Sequence, residues 1–130
     1  MKNLKLLHNP QSYNPDNDFV VHLSDINNET ELFEQFNKKL FFPDYFGFNW
    51  NALFDMLCDF NWIKQQRIVL VHDNMPILDE KELNIYLEIL LDAVKLWEDW
   101  KEGEEHCLEV VFPEKARCLI QLNIPQPSSP

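Results

Sequence analysis

"RIVLV", Arg67–Val71, sets four apolar side chains in succession, three of them β-branched. Successive side chains on a strand point to opposite faces, so an uninterrupted apolar run has to be buried on both. That condition is met in a parallel sheet screened by helices, because parallel strands are joined by crossovers that fold back over the sheet. Two further runs have the same character. "FVVHL" (Phe19–Leu23) leads into the turn-rich "SDINN", and "CLEVVF" (Cys107–Phe112) follows a glycine at 103.

The segments between these runs have helical periodicity. Asn28 and Glu31 form a capping-box pattern ahead of Leu32, Phe33, Phe36 and Leu40 on one side of a helix. Pro43 interrupts, Gly47 permits a backbone geometry other residues resist, and Asn49 caps a second helix running to about Phe60. Asp79 and Glu82 repeat the cap signature before a long helix with Leu83, Leu87, Leu90, Leu91, Val94 and Trp97 along its stripe. Lys101 and Gly103 mark its end.

The order strand, helix, helix, strand, helix, strand predicts an α/β fold: a small three-stranded parallel sheet with helices packed on it, with room for an extra edge strand from either terminus. Leu4–Leu7 is the N-terminal candidate for such a strand. At the other end, "ARCLIQLNI" either adds an edge strand or packs across the domain. The expected organisation is an irregular lead over residues 1–17, one domain over 18–113, and an extension over 114–130 that ends in the frayed tail "PQPSSP".

With 22 acidic against 11 basic side chains the chain carries −11, a field that repels phosphate backbones and disfavours direct nucleic-acid binding. Taken alone the charge reads first as solubility; it also speeds encounter with a basic partner. Cys58, Cys107 and Cys118 cannot all pair, and none is in a C-x-x-C arrangement, which points to reduced thiols and a cytosolic location. Lys2, Lys5 and His8 break up the apolar N-terminus, and no apolar run approaches the roughly 20 residues of a bilayer span, so no membrane role is expected.

The second helix is where chemistry and periodicity diverge. At about 100° per residue, Trp50, Leu53, Leu57 and Phe60 turn to one side, while Asp55 lies roughly 200° from Leu53 and faces outward. Asn51 one turn before and Asp59 one turn after place three polar groups on an exposed ridge, flanked by Phe54 and by Tyr45 in the preceding loop. By spacing alone a solvated helix edge is the plainer reading. The aromatic loop "FFPDYFGF" argues the other way, since so many rings cannot all reach one core.

"FPDYFGFNWNALFDML", Phe42–Leu57, resembles the signature of the barstar family, small intracellular inhibitors of secreted ribonucleases. The shared framework is a proline, an acidic residue, Tyr45, an aromatic, Gly47, Asn49, Ala52, Leu53, an aromatic, Asp55 and Leu57. The resemblance implies that loop and helix plug a ribonuclease cleft, with Asp55 standing where substrate phosphate would lie and Tyr45 packing against catalytic groups. The implied partner-binding set is Tyr45, Phe46, Gly47, Asn51, Phe54, Asp55, Asp59, Phe60 and, from the long helix, Glu98, with Asp99 as its alternative. Asn51 stands where a well-known member carries a second aspartate and Phe48 where it carries an acidic loop residue, which implies a different cognate enzyme. The expected partner is thus a basic ribonuclease or toxin nuclease domain, bound by a monomer without cofactor, metal or catalytic residues of its own.

Two other classes compete. An enzyme would draw on His22 and His72 near strand ends, or on Cys58 as nucleophile, although satisfied structural histidines are the more common case and neither a Gly-rich phosphate loop nor G-x-S-x-G is present. His106 and Cys107 are adjacent and so point to opposite strand faces, which is poor geometry for one metal ion, and Cys107 and Cys118 read most simply as buried small hydrophobes. The other alternative is an immunity or binding module of the same scaffold directed at a non-ribonuclease toxin.

Overall fold

Buried on both faces, β3 (Arg67–His72) lies inside the sheet of the computed structural model, which describes residues 3–99 and 106–123. It pairs in parallel with β2 (Phe19–Leu23) on one side and with β4 (Cys107–Pro113) on the other. Val21 stands opposite Leu70, and Leu70 opposite Val110. β1 (Leu4–Leu7) adds to the free side of β4, also in parallel, giving the order β1–β4–β3–β2. The sheet is therefore the expected parallel one with a fourth strand from the N-terminal segment. That segment is not an irregular lead: its strand belongs to the same sheet as the rest.

The crossovers are helical. α1 (Glu29–Lys39) begins at Asn28, whose side chain accepts the Glu31 N–H at 2.9 Å, while the Glu31 carboxylate reaches back to the Asn27 N–H at 3.0 Å. α2 (Trp50–Leu57) follows the aromatic loop. α3 (Glu80–Asp99) starts where the Asp79 carboxylate accepts the Glu82 N–H at 2.7 Å. "ARCLIQLN" is not a strand: a short 3-10 turn at Glu114–Ala116 leads into α4 (Arg117–Asn123), which sends Ile120 into the core. The frayed tail and the helix-stop residues Lys101 and Gly103 lie outside the described residues.

The helices build one large core on one face of the sheet, where Val21, Leu23, Ile68, Leu70, Val110 and Phe112 meet Phe36, Leu53, Leu87 and Leu90. The other face holds Val69, Val71 and Val111, with Tyr13 and Val20 packed against them. Glu109 also points there and is fully buried. Its carboxylate accepts the Tyr13 hydroxyl at 2.7 Å and pairs with Lys5 at 3.2 Å and with the Arg67 guanidinium. Residues 10–18 thus form a strap across this face, fastened further by Gln11 to the Asp73 carbonyl, Asn14 to His22 and Asp18 to Arg67.

Candidate partner-binding surface

Asn49 starts α2: its side-chain oxygen accepts the Ala52 N–H at 2.8 Å and its amide nitrogen donates to the Gly47 carbonyl at 3.2 Å. A Cβ on Gly47 would lie 3.0 Å from that amide nitrogen, so a side chain there would press on the Asn49 cap. The left-handed residue of the turn is Phe48, at φ 51°, not Gly47. For a bulky residue this conformation costs about 1–2 kcal/mol. Phe41 adopts it too, at φ 54°, just beyond the C-cap of α1, a position that glycine commonly fills.

One side of α2 is fixed to the body. Leu53, Met56 and Leu57 are buried, and Trp50 sets its ring edge-on to Phe33 at 4.9 Å. The Trp97 indole N–H of α3 donates to the Leu57 carbonyl at 2.8 Å, satisfying an acceptor the helix end would otherwise leave orphaned. The helix stops there, earlier than expected, with Cys58 as C-cap.

This early end corrects part of the expected surface. Asp59 lies past the helix, half-buried, and its carboxylate accepts the Asn61 N–H. Phe60, at φ 56°, is 0% exposed and stacks on Trp97 at 6.0 Å, so its ring belongs to the core and cannot meet a partner. Phe46 is likewise core, 5% exposed against Phe42 at 4.7 Å. Glu98 is half-buried and accepts the Asn3 N–H at 3.0 Å, so it is tied to the strand β1 side of the fold; Asp99 is exposed.

What remains outward forms a connected face. Tyr45 is 68% exposed, Gly47 is exposed and Phe48 is 48% exposed, with its inner side against Phe46 at 4.8 Å. Such an aromatic pair contributes about 0.5–1.5 kcal/mol, comparable to the strain of its backbone. Asn51 and Asp55 are exposed on α2 and Phe54 is half-buried beside them. Among the described residues the Asp55 carboxylate has no hydrogen bond or ion pair.

Burial, aided by the charges of Asp55 and Asp92, pushes the Cys58 thiol up to about 11. Two consequences follow. At neutral pH Cys58 is a protonated thiol, a poor nucleophile. And Asp92, exposed on α3, adds its charge to that of Asp55 at Cys58. Sequence reasoning missed Asp92. The available signal was its outward position on the α3 stripe, where it lines a shallow depression with Lys95, Leu96 and Asp99.

A family model described as Barstar (barnase inhibitor) matches residues 17–112. The chain belongs to the barstar family. No curated protein and no solved structure matches it. The barstar match contains the loop and α2 but leaves out β1, most of the strap and α4.

The barstar family is one of inhibitors, and the histidines weighed above make structural contacts here. His72 is buried, with Nδ1 at 3.0 Å from the Val111 carbonyl and Nε2 at 2.6 Å from the Tyr86 hydroxyl. His22 lies between Asp73, at 2.6 Å, and Asn14. His106 is buried between Phe60 and Trp97. Cys107 is half-buried against Arg67, whereas Cys118 is exposed and not the buried hydrophobe expected. Among the described residues no group of three His, Cys, Asp or Glu side chains could hold a metal ion, and no helix is long and apolar enough to cross a membrane.

Proposed function

We propose that the protein is a stoichiometric inhibitor of a basic ribonuclease or toxin nuclease domain, working as a cofactor-free monomer in the cytosol. Asp55 enters the cationic site that binds substrate phosphate, and Tyr45 with Phe54 fills the space around it. The observation that carries this reading is an exposed, unpaired carboxylate on a helix pinned at both ends, by Asn49 at its start and Trp97 at its close. A ribonuclease site gathers Arg, Lys and His to hold phosphate, and a rigid carboxylate satisfies the same donors without being cleaved.

The test is protection of RNA from barnase and from any nuclease found encoded beside the gene, titrated with parent protein and with Asp55→Ala. Inhibition should saturate at one inhibitor per enzyme. The variant should bind at least about 2 kcal/mol more weakly, chiefly through faster dissociation; this figure belongs to truncated interfacial charge pairs in general, and barnase–barstar pairs are among its source cases. Equal affinity of variant and parent would remove Asp55 from the interface. A second reading, immunity against a toxin that is not a ribonuclease, is favoured by the neutral Asn51 exposed one turn before Asp55.

A further inference from the structure

The turn between α1 and α2 places five aromatic rings in positions 41–48. Phe42 and Phe46 face inward, and Phe41, Tyr45 and Phe48 face outward. At Phe48 two unfavourable circumstances coincide: a left-handed backbone that glycine or asparagine would hold with less strain, and a large ring half in water. Its contact with Phe46 offsets the backbone strain and leaves no margin for the exposed half of the ring. Strain of this kind clusters at binding surfaces, and at Phe48, unlike the buried Phe60, it holds a ring half in water.

The surroundings of Phe48 define what it can touch. Residues 45–54 contain no charged side chain, although Asp44 and Asp55 flank them. The face is therefore divided into an acidic half at Asp55 and an uncharged half of rings and amides. An apolar or aromatic surface of the partner set against the uncharged half would take the exposed part of the Phe48 ring out of water.

Resting on the inhibitor reading above, we propose that Phe48 is a specificity-determining contact that docks against an uncharged, apolar or aromatic wall of the nuclease, beside the cationic pocket that receives Asp55.

The experiment measures affinity and thermal stability for the parent, Phe48→Asn, Phe48→Glu and Asp55→Ala, with barnase and any nuclease found encoded beside the gene as probes. Phe48→Asn should keep its melting temperature near the parent's, because relief of the backbone compensates the lost ring pair, yet bind the inhibited nuclease at least about tenfold more weakly. Phe48→Glu should bind no better than Phe48→Asn. Tighter binding by Phe48→Glu than by the parent would mean a cationic wall and overturn the proposal. So would unchanged affinity of Phe48→Asn with a lowered melting temperature, which would make the ring a cover for Phe46. If Asp55→Ala loses affinity while both Phe48 variants keep it, the inhibitor reading stands and this inference alone fails; a parent that binds neither nuclease overturns both.

Discussion

Lowering the pH from 7 to 5 should weaken the fold through His72, and the structure gives both the sign and the size. The Val111 carbonyl can only accept, so His72 Nδ1 carries the proton, and Nε2 uses its lone pair to accept the Tyr86 hydroxyl. Complete burial lowers the His72 pKa from 6.5 to about 4, outweighing the opposing effects of the Val111 bond and the Asp73 charge. Between these values the unfolded chain binds a proton that the folded chain refuses. Stability from this source is therefore fully present above about pH 6.5 and is lost as pH falls towards 4. At pH 5 the loss spans roughly 1.5 pH units, or about 2 kcal/mol. Urea unfolding followed by tryptophan fluorescence at the two pH values measures it. His72→Gln retains a donor and an acceptor but does not titrate, so its stability should fall by about 2 kcal/mol less than the parent's over the same interval, the carboxylates cancelling in the difference. Parallel pH dependences for variant and parent would refute the reasoning.

Two further outcomes test the framework that carries the surface. Tyr13→Phe removes the hydroxyl donor from the fully buried Glu109 carboxylate and should destabilise the fold by about 1–3 kcal/mol, read from urea midpoints; no change would mean that the strap adds nothing to the second face of the sheet. Trp97→Phe keeps a ring against Phe60 but orphans the Leu57 carbonyl, so it should lower stability by about 1–3 kcal/mol and speed amide exchange at the end of α2; unchanged exchange there would show that the helix is not held by this bond.

The sequence was most legible where local pattern and tertiary demand agree. Two-sided apolar strands, helix caps at Asn28, Asn49 and Asp79, and the outward register of Asp55 all depend on neighbours within a turn or two. The reading failed where contacts were remote. Leu4–Leu7 was legible as a candidate edge strand, but its place beside β4 was not, because β4 and Glu109 lie about a hundred residues on. Glu98 looked available because its donor, the Asn3 N–H, is 95 residues away. The helical stripe of Leu53 and Leu57 already turned Phe60 towards the core, where it lies; its interface role came from the resemblance alone, and its stacking on the remote Trp97 leaves no ring surface for a partner. The loop rings were judged correctly as a group, some in and some out, but two of the three that turn outward, Phe41 and Phe48, stand on a left-handed backbone for which phenylalanine is no signal.

The position of β4 in the sheet has a consequence for synthesis. Among the described strands β4 comes latest in the chain and stands between β1 and β3, so β1 has no neighbour in this sheet to bond until translation has passed residue 113. Until then a nascent chain holds at most the β2–β3 pair, with β1 unattached and the inner edge of β3 open. The sheet is thus completed backwards along the chain, β4 inserting last and closing Leu4–Leu7 into place.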